Sequence, residues 1–213
     1  MKICVIGVGR FGYHVATKLA EHGVEVLAVD NNESIVANIR DKVTHAVCMR
    51  ANDEETLRSI GAEEMDTVVV AMGEDFAQSI LVTALLKQKL KVPNVIARAV
   101  SVVHKDILEL IGADYVVLPE QEMGIRLADK LSLRFGNFIR LTENFSISYV
   151  HASDRFIGKT VEQLALENSY HVNFLGKKEQ DTINQVPVTY VIEEGDVLVF
   201  AGANRDLEKL GKL

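Results

Sequence analysis

The sequence predicts an α/β protein, a Rossmann-type doubly wound parallel sheet of six strands followed by a small α+β domain. Three observations carry that expectation. The strand-like run Ile3–Ile6 enters Gly7-Val8-Gly9-Arg10-Phe11-Gly12 and leaves into a helical pattern, Tyr13–Glu21. This is a G-x-G-x-x-G in the context that gives it meaning, after a strand and opening a helix. Continuous Val/Ile runs then alternate with amphipathic stretches as far as Leu118, as strands covered on both faces do. Past Gly136 the alternation stops, which places a boundary between a domain at 1–136 and a smaller one at 137–213.

The elements follow in order. Val24–Val29 reads as the second strand, closed by Asp30, and Ser34–Asp41 as a helix. His45–Met49 is a strand ending at Arg50-Ala51-Asn52, Glu54–Ile60 a helix, and Thr67–Met72 the fourth strand, running into Gly73. Phe76–Leu90 is a longer helix with Ile80, Val82, Ala84, Leu85 and Leu86 inward; Pro93 ends it, since proline cannot continue a helix. Asn94–Val100 is the fifth strand, Val103–Ile111 a helix stopped by Gly112, and Tyr115–Leu118 the sixth strand. Crossovers are expected to be right-handed. The helix Glu120–Phe135 then carries Met123, Ile125, Leu127, Leu131 and Leu133, a wide apolar surface that two subunits can share. In the second domain Phe138–Leu141, Phe145–Val150, Val172–Gly176, Thr189–Ile192 and Val197–Ala201 are strand-like. Glu194-Gly195-Asp196 is a turn, and Thr160–Glu167 and Asp206–Leu210 are helical.

Composition narrows the function. The net charge of −7 and the lack of a basic stripe argue against nucleic acid as a partner and against adhesion to an anionic membrane. No apolar run is long enough to span a bilayer, and Met1-Lys2 leads straight into a strand, the pattern of a chain without a leader. The two cysteines, Cys4 and Cys48, fall in strands of the parallel sheet and read as buried small hydrophobes in a reducing cytosol.

The glycine turn carries the chemistry. Gly7 permits the tight turn, Gly9 lets a pyrophosphate approach the backbone, and Gly12 lets the helix pack on the strand. The helix amino end favours an anion. Asp30 can accept both hydroxyls of an adenosine ribose, and its charge repels a 2′-phosphate, which would exclude NADP(H). The carboxyl ends of the other strands line the same crevice: Asn31, Asn52, Ala71 and Gly73, Arg98, and Glu120. Small residues there suit a flat adenine. Arg10, inside the turn, can reach outer phosphate oxygens, and Arg98 can add a second cation from a neighbouring strand end. Two cations around a short phosphate chain suit ADP or ATP at least as well as a dinucleotide.

Machinery to transform the nucleotide is missing. The six histidines are scattered, none in a metal-binding pair, and no Walker motif, nucleophile elbow or Ser-His-Asp order appears. Past Gly136, His151 and His171 stand without a cluster of arginines or lysines to clamp a substrate.

The motifs together, Gly7-Val8-Gly9-Arg10-Phe11-Gly12, Asp30, Ala71-Met72-Gly73, Ile111–Glu120, and Glu194-Gly195-Asp196 before Val197–Gly202, resemble the domain that regulates conductance of potassium channels and transporters. The similarity spans nearly the whole chain and is strongest to the stand-alone cytosolic regulatory subunit of bacterial Trk/Ktr potassium uptake systems. The resemblance implies subunits paired through the crossover helix and an octameric ring docked beneath a membrane-embedded, potassium-conducting partner. It also implies ATP, ADP or NAD(H) in the crevice. Gly7, Gly9, Phe11 and Gly12 would then line the phosphates, with Arg10 on the terminal one. Asp30 and Asn31 would hold the ribose, Asn52, Ala71 and Gly73 would flank the base, and Arg98 would be a basic phosphate contact. Glu120 would share a cation with a carboxylate of a second subunit. Two rivals stand beside this reading. A small NAD-dependent oxidoreductase would need a catalytic residue in the second domain and would turn over reduced cofactor. A free-standing NADH sensor with a transcriptional partner would need a DNA-reading helix, which the acidic chain lacks.

Overall fold

The structure, a computed structural model, describes residues 1–73, 75–132, 137–166 and 170–210, with backbone alone at 129, 130, 132, 137 and 138. The chain divides into two compact units, Met1–Glu122 and Met123–Leu213.

In the first unit the apolar runs become β1 (Lys2–Ile6), β2 (Glu25–Asp30), β3 (His45–Cys48), β4 (Thr67–Val70), β5 (Asn94–Arg98) and β6 (Tyr115–Val117). They pair in the order β3-β2-β1-β4-β5-β6, parallel throughout. The expected doubly wound sheet is therefore present. Successive residues of β1 serve opposite faces, as strand geometry requires. Cys4 and Ile6 pack with Leu57, Val82 and Leu86, while Ile3 and Val5 pack with Ala16, Val26 and Ile39. Each such buried Val, Leu or Ile contributes about 1.5–3 kcal/mol relative to exposure. These two cores hold the helices against the sheet: α1 (Arg10–Glu21), α2 (Glu33–Ile39), α3 (Glu54–Ser59), α4 (Phe76–Ala84) and α5 (Val102–Leu110).

Most helix starts are capped by side chains. Asn32 accepts from the Ser34 and Ile35 N–H groups, Asp53 forms a capping box with Thr56, Asp75 accepts from Gln78 N–H, and Ser101 from His104 N–H. The start of α1 has Gly9 as its cap, with no capping side chain and no acidic residue in the first turn. That leaves the first N–H groups of α1 for something else.

Several boundaries differ from the sequence reading for local reasons. The first helix begins at Arg10, not Tyr13, so Gly12 lies buried within it. Strand β4 stops at Val70, before the expected Met72, and β3 stops at Cys48. The fourth helix ends at Ala84 and continues as a π-helical turn, Leu85–Lys89, where Lys87 Nζ reaches Asp114 Oδ2 at 2.8 Å and the Val92 carbonyl at 3.3 Å. Cys48 is corrected from buried to exposed, because β3 is the edge of the sheet and lacks a neighbour on one side. Cys4, in central β1, is buried, and that burial pushes its thiol pKa up to about 12.

Helix α6 (Pro119–Ser132) follows β6. Its Met123, Ile125, Leu127 and Leu131 are all exposed, while Leu133 and Phe135 of the expected helix lie outside the described residues.

The second unit is an antiparallel sheet of β7 (Asn137–Arg140), β8 (Phe145–His151), β9 (Val172–Glu179), β10 (Thr182–Asn184) and β11 (Val197–Ala203), ordered β10-β9-β11-β8-β7. Among the described residues it is accompanied by the helices α7 (Val161–Leu164) and α8 (Asn204–Leu210). Phe156, Ile192, Leu198, Phe200, Leu207 and Leu210 form its own core. Two expectations fail here. Thr189–Ile192 is a turn that pairs by a single bridge, Thr160 to Val191, and not a strand. The expected strand at Val172–Gly176 is present as β9 and runs on to Glu179; the unforeseen strand is β10, joined to β9 by a turn at Gln180 in the left-handed region (φ 52°), with none of the glycines that mark such turns. The helix expected to run from Thr160 has Thr160 as its cap and stops where Ala165 turns left-handed (φ 46°); Glu167 lies outside the described residues.

What holds the strapping segment before β11 is Asp196, buried and surrounded by donors. Lys177 Nζ reaches its Oδ1 at 2.7 Å, and Tyr190 OH and Glu193 N–H both reach Oδ2 at 2.9 Å. Burial alone would raise its pKa. The hydrogen bonds from Lys177, the Glu193 backbone and Tyr190 outweigh that and hold the carboxyl below the usual carboxylate range. The turn Glu194-Gly195-Asp196 is thus a structural anchor.

Candidate functional site: the crevice at the strand carboxyl ends

Strand order fixes where the crevice lies. The connection from β1 runs to β2 and β3 on one side, and the chain crosses back to β4, β5 and β6 on the other. In such sheets ligands bind outside the carboxyl ends at this reversal. Ile6, the last residue of β1, sits in register between Val29 of β2 and Val70 of β4. Gly7, Asp30 and Ala71 therefore emerge side by side.

Each glycine of the turn has a distinct reason. Gly7 has φ 89°, and a Cβ there would lie 2.9 Å from the Met72 backbone nitrogen. At Gly12 a Cβ would fall 2.0 Å from the Gly7 carbonyl oxygen and 3.1 Å from the Ala71 methyl, so the helix packs on its own turn only without a side chain. A Cβ on Gly9 would meet nothing within 4 Å. Its lack of side chain keeps backbone open to an approaching group, as a diphosphate requires.

Asp30 ties the turn down. Its Oδ2 accepts from Val8 N–H at 2.7 Å and its Oδ1 from Asn32 N–H at 2.9 Å. The carboxylate thus braces the glycine turn and the start of α2, and each oxygen keeps further lone pairs for a ligand hydroxyl. Asn31 is exposed beside it, and its carbonyl oxygen accepts from Cys48 Sγ at 3.7 Å. Asn52 is half-buried; with its amide turned to the orientation that satisfies both neighbours, its NH₂ donates to the Arg50 carbonyl at 3.1 Å and to Asp53 Oδ2 at 3.2 Å. Ala71 is buried under α1, so its place at the crevice floor depends on its small size.

On the other flank stand the charges. Arg98, at the end of β5, lays its guanidinium 5.7 Å from the centroid of the Phe11 ring. Gly73 lies alongside, where a Cβ would come 2.6 Å from Arg98 Nη1. Arg98 Nη2 donates to Glu120 Oε1 at 2.5 Å. The Glu120 carboxyl is held below its usual range, first by its own backbone N–H at the start of α6; burial, the next-largest effect, acts the other way and is outweighed by Arg98 and, at longer reach, Arg10. Arg10 is exposed on the first residue of α1. Arg10, Arg98 and Glu120 therefore share one electrostatic environment beside the glycine turn.

All twelve sequence-named positions gather at these strand ends. Sequence reasoning missed the Arg98–Glu120 pair and the Phe11 stack, which join residues distant in the chain. It also missed Asn32 as a cap, although an Asn just before an apolar run was a readable signal. No group of three or more His, Cys, Asp or Glu side chains gathers to hold a metal among the described residues. A shallow depression lined by Ala20, Gly23, Glu25, Lys42 and Thr44 lies at the opposite, amino ends of β2 and β3, away from this chemistry.

Comparison with known proteins finds relatives over nearly the whole chain. A family model described as the TrkA-N domain matches residues 3–119, and one described as the TrkA-C domain matches residues 146–213. The chain is 34% identical to Ktr system potassium uptake protein C of Bacillus subtilis, over 99% of this chain and 96% of that protein. It is 36% identical to Ktr system potassium uptake protein A of the same organism, over 98% and 94%. Among solved structures, the RCK domain of GsuK superposes with a TM-score of 0.58 at 23% identity, covering 99% of this chain but 46% of that one. GsuK bound to ADP matches at 29% identity and a TM-score of 0.54, over 61% of this chain and 33% of that one.

Proposed function

Because this chain belongs to the family of proteins built from a TrkA-N and a TrkA-C domain, we propose that it is the nucleotide-binding regulatory subunit of a potassium uptake system. The observation that carries the reading is the glycine turn: an open Gly9 cap on α1, braced by Asp30 and flanked by Arg10 and Arg98. A ligand with adenosine hydroxyls at one end and phosphates at the other fits that order of groups. The phosphates meet the N–H groups of the first turn of α1, Arg10 and Arg98 take the outer charge, and Asp30 takes the ribose. ADP, ATP and NAD(H) share these parts, and Asp30 disfavours a 2′-phosphate.

Regulation follows from binding without catalysis. A ligand shifts an assembly between two shapes only by its differential affinity for them. Nucleotides that differ in phosphate number differ at the Arg10, Arg98 and Glu120 flank, next to the start of α6. The coupling is reciprocal, so docking to the membrane partner changes nucleotide affinity as nucleotide changes docking. Residues of one chain do not by themselves make a cation site at Glu120, since Arg98 occupies that carboxylate and Glu122 turns back to Leu118 N–H at 3.4 Å. A shared cation would need the second subunit's carboxylate.

Among the described residues no helix is long and apolar enough to cross a membrane. In this reading the protein works in the cytoplasm, at the inner membrane face through its partner. The test is potassium flux in vesicles carrying the membrane subunit, with this protein added and the nucleotide varied. Flux should change with both the protein and the nucleotide. Indifference to both, together with measurable oxidation of NADH, would favour the oxidoreductase instead.

Assembly is the second part of the reading. Met123, Ile125, Leu127 and Leu131, each about half exposed or more, would leave a sizeable apolar surface in water on an isolated chain, with Met123, Leu127 and Leu131 on one face of the helix. Two-fold pairing through α6 covers it, and pairs build the octameric ring that the family resemblance implies. Sedimentation at micromolar concentration should give a multiple of two chains. A single-chain mass would overturn the pairing.

A further inference from the structure

Resting on the nucleotide reading above, we propose that His104 is a positioning residue for the crevice: its neutral ring latches the loop between β5 and α5, and a proton on that ring releases it. The loop runs from Ala99 to Ser101 and begins directly after Arg98, whose guanidinium lies over Phe11 of the glycine turn. Ala99 N–H donates to the Val117 carbonyl of β6 at 2.8 Å. The other two residues are held by His104. Ser101 Oγ accepts from His104 N–H at 3.2 Å, and Val100 N–H donates to His104 Nδ1 at 3.3 Å. A ring nitrogen that accepts an N–H carries no hydrogen, so the neutral ring holds its one proton on Nε2. A second proton can enter only at Nδ1, the atom already taken by Val100 N–H. Protonation and latch are therefore mutually exclusive, because two donors would face each other across one contact.

Water does not soften this conflict. His104 is 0% exposed, and its Nε2 has no hydrogen-bond partner. On α4, Phe76 packs on the ring with centroids 4.4 Å apart, Ser79 and Thr83 are buried and uncharged, and Asp75 is engaged with Gln78 N–H. On α5, Lys105 pairs with Glu109 and Asp106 is exposed. Strand β5 ends in Arg98, paired with Glu120, and β6 brings the exposed Tyr115, while Glu74 lies outside the described residues. Of these the Phe76 ring favours a cation, and only weakly, being itself partly in water. Burial pushes the His104 pKa down from its ordinary value. The unfolded chain takes its proton near pH ~6.5 and the folded one lower, so stability is lost as pH falls through that value. A folded chain that does accept the proton lets go of Val100, and the backbone carrying Arg98 against Phe11 loses a tether. A nucleotide that needs this wall in place binds the latched form better, and by reciprocity keeps His104 neutral.

NAD is the probe, because its diphosphate does not titrate between about pH 5.5 and about pH 8, the range in which a histidine does. Calorimetric titration into the intact wild-type protein should show NAD binding about two- to fivefold weaker at the acid end, a modest coupling because a buried ring is only partly protonated there. His104→Asn should remove this dependence, since its Oδ1 takes the place of Nδ1 and cannot be protonated. His104→Gln places its polar end at Nε2 instead, and should bind weakly at both ends of the range. In wild-type protein carrying ¹⁵N-labelled histidine and valine, the His104 ring nitrogens and the Val100 amide should shift on one titration curve, which NAD displaces to lower pH. This readout needs no variant, so it decides the matter even if both substitutions prevent folding. A pH dependence that survives in His104→Asn would belong to another group and overturn the proposal, as would a His104 ring that titrates without any change at Val100. A wild-type protein that binds no NAD across the range would overturn the nucleotide reading, while the shared titration curve would still report the latch.

Discussion

Replacing Asp30 by alanine is expected to weaken ADP, ATP and NADH by about 1.5–3 kcal/mol, roughly ten- to a hundredfold in Kd. Two losses combine. The ribose hydroxyls lose a charged acceptor, and Val8 N–H, buried in the glycine turn, loses the 2.7 Å contact that braces it. Asp30→Asn separates the two. One carbonyl oxygen still accepts from Val8 N–H, so the turn stays braced while the charge and the second acceptor are gone. Asn should therefore weaken binding less than Ala and relax the bias against NADPH. Calorimetry on the three proteins decides it. An Ala variant with wild-type affinity would remove Asp30 from the site.

Gly12→Ala should cost about 3 kcal/mol of stability in the first unit, at the upper end of ordinary overpacking. The added methyl would lie 2.0 Å from a backbone oxygen, that of Gly7, which cannot rotate away as a flexible side chain could. Relief requires α1 to lift from β1 and β4, which would open the contacts of Ala16 in the core beneath it. It would also displace the N–H groups that face the phosphates. Thermal unfolding should shift down by roughly 10 °C, with nucleotide affinity falling in parallel. Gly9→Ala is the control, because its methyl meets nothing within 4 Å. It should leave the melting temperature nearly unchanged and weaken binding by crowding the ligand alone. Equal melting temperatures for the Gly12 variant and the wild type would show that the turn can open without cost.

Much of this was legible in the linear chain. The parallel sheet, the glycine turn and Asp30 depend on local rules: the apolar runs form buried strands, glycine alone fits Gly7 at φ 89°, and strand order sets the crevice. The exposed apolar surface on α6 was readable too, because helical spacing aligns Met123, Leu127 and Leu131 on one face, with Ile125 on the other, and the chain itself leaves all four uncovered. Other features depended on neighbours that sequence spacing does not name. Cys48 looked like a buried strand residue, yet its exposure depends on β3 being an edge. The hairpin at Gln180 has no turn glycine to announce it, and the network on Asp196 holds Tyr190 where a strand was expected. The Arg98–Glu120 pair also belongs to this second group. Sequence placed both residues at strand ends. Only the parallel pairing of β5 with β6, which sets Arg98 opposite Val117, brings the start of α6 within reach of the guanidinium. Hydrophobic periodicity is a local property and could be read directly. Which charges meet across strand ends is decided by register, and register exists only once the sheet has formed.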